Sequence, residues 1–243
     1  MRLASKGNGM KRYLVRTAVA AALGSAAMLS QAAIVNFSDW AYGNSWGNIV
    51  NVANPAHKGA AGAFKGSVTF DSAEKSAFNL TDILSFISYC VEIEQHFSLP
   101  SGPMSGYSVV AGSSYSGWGA AKANRLGQLV SYAAADPLRV DTAAESTSLQ
   151  LAIWNVIYDN DTTILAGAFQ EKTPSGIFNS YADTLLSSSL TATNQYEVLV
   201  LTNSSSQDFL LLRSVPEPAS LALALTALGG LGFFSRRRKA SKV

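Results

Sequence analysis

Each end of this chain carries an apolar run beside a cluster of basic residues, and the two runs limit how much of its 243 residues can fold as one body. At the front, Arg2, Lys6, Lys11, Arg12 and Arg16 precede an apolar stretch from Thr17 to Leu29, which ends in the small-residue sequence Ser30-Gln31-Ala32-Ala33. Charged, then apolar, then small is the order of a secretory signal peptide, expected over residues 1–32 with cleavage after Ala32. Its apolar core is shorter than the roughly 20 residues that a membrane-spanning helix needs. At the far end, Val215-Pro216-Glu217-Pro218 leads into an apolar segment from Ala219 to Phe234, and then into Arg236, Arg237, Arg238 and Lys239. This segment is expected to cross a thin bilayer as a helix, with the basic cluster held on the cytoplasmic side and the rest of the chain outside.

The division expected is therefore a signal peptide (1–32), a passenger (33–213) and a sorting and anchor segment (214–243). The formal charge of +2 hides the passenger's character, because ten of the eighteen basic residues lie in the two ends. From Ala33 to Pro218 sixteen acidic residues stand against eight basic ones, a net of −8. Such a surface repels phosphate backbones, so no nucleic-acid partner is expected. A passenger of this size buries a sizeable core without staples. Cys90 is the one cysteine, so no disulfide forms within the chain. No cofactor and no metal site are expected.

Along the passenger, residues 34–62 read as short strands and loops rich in Asn, Gly and aromatics. Ser85–Leu99 reads as the clearest strand, since Tyr89, Val91, Ile93 and Phe97 alternate with polar neighbours and leave Cys90, Glu92, Glu94 and His96 on the opposite face. Pro100–Gly119 reads as a long surface loop containing a short strand near Tyr107–Ala111. Helical spacing follows over Ala120–Ala135. A second helix opens at Thr142 with Glu145 three residues on, a capping-box pattern, and runs to Tyr158. Ile177–Ser187 suggests a third. Tyr196–Leu201 and Phe209–Leu212 flank Asn203-Ser-Ser-Ser and read as a hairpin. Strands, then helices, then strands give an α+β fold: a β-rich body, sandwich or barrel-like, with a helical insert, followed by a C-terminal transmembrane sorting helix.

Two resemblances add to this reading. Pro216-Glu217-Pro218, the apolar helix and the terminal basic cluster resemble the PEP-CTERM sorting signal. That resemblance implies an exosortase-type processing enzyme as partner, a transient stay in the inner membrane, and release to the cell surface or an exopolysaccharide matrix. Tyr89-Cys90-Val91 and Gln150-Leu-Ala-Ile-Trp154 resemble the paired motifs of bacterial surface thioester domains, which implies an internal bond between the Cys90 sulfur and the Gln150 acyl group. Tyr89 and Trp154, the latter one helical turn beyond Gln150, would shield the bond from water. An amine-bearing surface protein or exopolysaccharide would then be the covalent partner.

Two functions stand side by side: a covalent adhesin or matrix cross-linker acting through Cys90 and Gln150, and a passive matrix protein that binds polysaccharide through exposed Trp40, Trp46 and Trp118. An enzyme is not expected. Cys90 and His96 would be about 20 Å apart along an extended strand, and His57 lies in a loop with nothing to mark it. Glu92 and Glu94, two residues apart on one face, have the spacing of an acid–base pair but also of a solvated strand. Asp159-Asn160-Asp161 lacks the glycine and distal glutamate of a calcium loop and reads as a helix-ending turn.

Overall fold

The structure is a computed structural model that describes residues 32–43, 49–53, 56–159, 161–172 and 177–215. In chain order the elements are β1 (Ala33–Trp40), β2 (Ile49–Ala53), β3 (Ala56–Ala60), β4 (Phe64–Thr69), α1 (Ser72–Phe78), β5 (Ile83–Ser88), β6 (Gly102–Ala111), α2 (Gly119–Ala134), α3 (Ala143–Tyr158), α4 (Ile177–Ser188), β7 (Tyr196–Thr202) and β8 (Phe209–Ser214). Six of the strands form one antiparallel sheet in the order β5-β4-β1-β6-β7-β8, while β2 and β3 form a separate hairpin.

Period-two burial drives the sheet to curl. In β1, Ala33, Val35 and Phe37 are buried while Ile34 and Ser38 face out, and the inward faces of the other strands meet them. Phe37 lies 4.5 Å from Phe209 between ring centroids, Phe64 lies 4.8 Å from Phe97, and Phe97 lies 4.9 Å from Phe209. Residues from both ends of the strand order therefore share one aromatic core. Gly66 permits the close strand approach: a Cβ there would sit 2.3 Å from the Asn36 carbonyl oxygen.

The curled sheet nearly closes. Just past β5, the Leu210 N–H donates to the Tyr89 carbonyl (2.9 Å), the Val91 N–H donates to the Asp208 carbonyl (3.1 Å), and Cys90 bridges Phe209. This short seam joins the first strand of the order to the last, so the β-rich body is barrel-like rather than a sandwich.

The helical insert lies between β6 and β7. In α3 every residue from Ser146 to Ile157 is buried, which makes it a core helix rather than a surface one. Thr142 and Glu145 complete the capping box expected at its start. The hairpin β7–β8 is also as expected, with register from Tyr196↔Ser214 to Leu201↔Phe209.

Several expectations are corrected. Ser85–Leu99 is not one strand, because β5 ends at Ser88. Tyr89, Val91 and Ile93 are still buried, so the apolar alternation marked side chains reaching the core from irregular chain. Pro100–Gly119 holds more strand than expected: half of it is β6, a ten-residue strand held between β1 and β7, of which only the end at Tyr107–Ala111 was anticipated. Helix α1 lies in a segment given no element by sequence, although Asp71 and Glu74 form a second capping box. Strand β8 extends to Ser214, and the Val215 N–H donates to the Gln195 carbonyl at 2.8 Å. The signal peptide and the sorting helix lie outside the described residues, among which no helix is long and apolar enough to cross a membrane.

Candidate functional site

An incompletely zipped seam leaves backbone groups that the ladder cannot satisfy, and these must find other partners if buried. At Cys90 the partner is Gln150. The Cys90 N–H donates to Gln150 Oε1 and Gln150 Nε2 donates to the Cys90 carbonyl, both at 2.8 Å. Both residues are buried. The two positions that the resemblance paired, 60 apart in the chain, thus meet through backbone and amide, with the helical insert docked onto the seam.

Trp154 and Tyr89 are both buried next to this pair. Trp154 lies one turn along α3 from Gln150, and its Nε1 has no hydrogen-bond partner among the described residues. Burial pushes the Tyr89 hydroxyl well above its ordinary range, with Tyr42 adding to the effect. Burial also pushes the Cys90 thiol well up, and the nearby Glu92 carboxylate raises it further. The sulfur therefore rests as a neutral thiol.

Cys90 lines a cleft of about 840 Å³, together with Glu92, Trp154, His57, His96 and Gln207, while Gln150 stays behind it. The two histidines correct the sequence reading. Because the chain turns after Ser88, His96 is not carried away along a strand. Its ring centroid lies 5.1 Å from that of His57, and His57 stands edge-on to Trp154 at 6.1 Å. Burial lowers the His57 pKa, and so does the neighbouring His96, against an opposing pull from Glu94.

Below the cleft lies a polar knot that sequence reasoning missed. Asp208 is buried and accepts from the Tyr115 hydroxyl (2.7 Å), the Thr202 hydroxyl (3.0 Å) and the Asn203 N–H (2.6 Å). Its own N–H donates to Glu92 Oε1 at 3.0 Å, and Gln207 Nε2 donates to the Glu92 carbonyl at 3.1 Å. The Glu92 carboxyl is pushed up to about 7, chiefly by burial and also by Asp208 and Glu94, against the pull of the Asp208 N–H. Glu94 instead accepts from the Tyr158 hydroxyl at 3.0 Å. The two glutamates are thus separately engaged, each by its own partner. Nothing in the pattern of residues 203–208 beyond a turn signal marks Gln207 or Asp208.

The other candidates fall elsewhere. Trp118 is buried, packed edge-on against Tyr115 at 4.7 Å, so it offers no exposed platform. Trp40 is half-buried against Phe64 at the cleft, and Trp46 lies outside the described residues. Asp161 accepts from Asn155 and from the Thr163 N–H, closing a turn after α3. Among the described residues no group of three or more His, Cys, Asp or Glu could hold a metal ion.

Residues 214–239 match the PEP-CTERM protein-sorting motif, which marks export and sorting by an exosortase. The match begins inside β8, and its Pro216, Glu217, Pro218 and Arg236–Lys239 cluster lie outside the described residues. No curated protein and no solved structure matched the chain.

Proposed function

We propose that this chain is an exported cell-surface or matrix protein whose folded body carries an internal Cys90–Gln150 thioester and couples covalently to amine-bearing partners, a surface protein or an exopolysaccharide. The observation that carries this reading is the reciprocal pair of 2.8 Å hydrogen bonds between the Gln150 carboxamide and the Cys90 backbone. They hold the Gln150 carboxamide against the Cys90 backbone in a buried place, which supports the proximity that an intramolecular acyl transfer needs.

In bond formation the Cys90 sulfur attacks the Gln150 carboxamide carbon, the C–N bond breaks, and the thiol proton leaves with the amide nitrogen as ammonia. A later amine attacks the same carbon, an amide forms, the C–S bond breaks, and the thiol is restored. Tyr89 and Trp154 would exclude water in between. Around this body we place a signal peptide at 1–32 removed on export and a tail from 214 that exosortase cuts near Pro216–Pro218.

The test is the intact mass of the purified protein. It is expected to be one ammonia below the sequence mass, with a thiol that resists alkylation until methylamine is added. Cys90→Ala and Gln150→Ala should each abolish the deficit. A full-mass native protein whose Gln150 is still glutamine would overturn the reading. Glutamate at 150 would instead record a thioester lost to water.

A further inference from the structure

The thioester reading leaves one problem in the cleft unsolved. Burial disfavours the Cys90 thiolate, with Glu92 adding to the penalty, so the sulfur is a poor leaving group unless it receives a proton as the C–S bond breaks. The attacking amine must lose one at the same time. A neutral base that both groups can reach would serve both needs.

The hairpin β2–β3 places an imidazole in the same cleft as Cys90. It stands apart from the six-stranded sheet and is tied to the body through a bridge between Val52 and Glu171. His57 on β3 pairs with Val52 and is half-buried in the cleft that Cys90 also lines. Its ring meets Trp154 on one side and His96 on the other. Gly59, the next residue on the same strand face, makes room for the imidazole: a Cβ there would come within 3.2 Å of His57 Nε2.

We propose that His57, presented by the β2–β3 hairpin, is the proton carrier of acyl transfer at Cys90 and Gln150. The imidazole takes a proton from the attacking amine as the new C–N bond forms and gives it to the Cys90 sulfur as the C–S bond breaks. In bond formation it runs the other way, from thiol to departing ammonia. No oxidant or further reactant is needed. The inference rests on the thioester reading. The surroundings suit the role, since burial and His96 both favour the uncharged ring and only Glu94 among its named influences favours the charged one. Asp39, Lys58 and Glu92 also line the cleft and complete its charged surroundings.

The test follows methylamine coupling to the intact protein by mass spectrometry across pH, with rates corrected for the fraction of free amine. The wild-type rate is expected to rise with pH through a midpoint below the ordinary histidine value of about 6.5 and then level off. His57→Ala should slow coupling by on the order of 10²–10⁴-fold and erase that step, with added imidazole restoring part of the rate. His96→Ala should move the wild-type step to higher pH, because a like charge is removed. Gly59→Val, which keeps the imidazole but displaces it, should slow coupling without removing the mass deficit.

A His57→Ala protein that keeps the deficit and couples at the wild-type rate with the wild-type pH profile would overturn the proposal. So would one that lacks the deficit and does not regain it in imidazole. Failure of the thioester reading itself looks different, since the wild-type protein then shows no deficit at all.

Discussion

The sheet has two kinds of joint, and they differ in what holds them. Between β7 and β8 an unbroken register of six residue pairs satisfies the backbone, and side chains are free to be apolar: Leu199, Val200, Leu201, Leu210 and Leu211 are all buried there. At the seam between the end of β5 and β8 only a bridge and two flanking backbone bonds form. There the missing ladder is replaced by side chains, with Gln150 serving Cys90, Glu92 serving the Asp208 N–H, and Gln207 serving the Glu92 carbonyl. Buried polar side chains are costly unless paired, so they gather where the backbone itself demands partners. Cys90, Gln150 and Glu92 all lie at the joint that the sheet leaves unfinished.

Three measurements would break or sharpen this contrast. The largest effect is expected away from the seam. Phe37 packs against Phe64, Phe86, Phe97 and Phe209, so Phe37→Ala should cost about 3–5 kcal/mol in urea unfolding through the cavity it leaves. A loss under about 1 kcal/mol would mean that the aromatic core does not hold the two ends of the sheet together.

At the seam, Gln150→Ala should be measured in a Cys90→Ala background, where no thioester can contribute. It strips the partners from one buried N–H and one buried carbonyl, at about 1–3 kcal/mol each, partly relieved by water entering from the cleft. A cost of about 2–3 kcal/mol is expected. A neutral substitution would show that the amide is not what closes the barrel, leaving Gln150 only a chemical role.

The smallest effect is a pH dependence. The Glu92 carboxyl is raised from 4.5 to about 7 in the folded protein, so its stabilising contribution is full below about pH 4.5 and is lost as the pH rises through about 7. Glu92→Gln stays neutral and keeps an acceptor for the Asp208 N–H. The variant should therefore gain stability relative to wild type between pH 4.5 and 7 and hold that gain above. Glu92 is half-exposed, so screening keeps the gain below the Gln150 effect. Parallel stability curves for the two proteins would show that Glu92 is not held neutral by the seam.

Much of the local structure was legible because local rules decide it. Thr142 and Glu145 marked the start of α3 since the two side chains satisfy donors within their own turn, and the β7–β8 hairpin followed from two apolar runs around a polar turn. The same rule would have found α1 from Asp71 and Glu74. The error at Ser85–Leu99 is instructive. Tyr89, Val91 and Ile93 are buried as the apolar pattern implied, but Cys90 between them is buried too, because the chain there leaves the ladder and packs on both sides. The end of strand β6 at Tyr107–Ala111 was legible, while its first half was hidden by Gly, Ser and Pro content that its place between β1 and β7 overrides.

What the sequence determined by itself was the order of the chain's parts: basic–apolar–small at the front, Pro-Glu-Pro with an apolar and basic tail at the end, and between them a single cysteine and a helix bearing Gln150 and Trp154. These are read by charge, hydropathy and spacing, which need no fold. Only the tertiary structure decided which of these groups meet. Cys90 reaches Gln150 because the sheet curls until its last strand meets the chain beyond its first and the seam is left short of backbone partners. His57 reaches the cleft because a separate hairpin folds over it. Both contacts join residues far apart in the chain. Their free energy comes from burying the core that closes the barrel, a property of the whole body that no local run of residues carries.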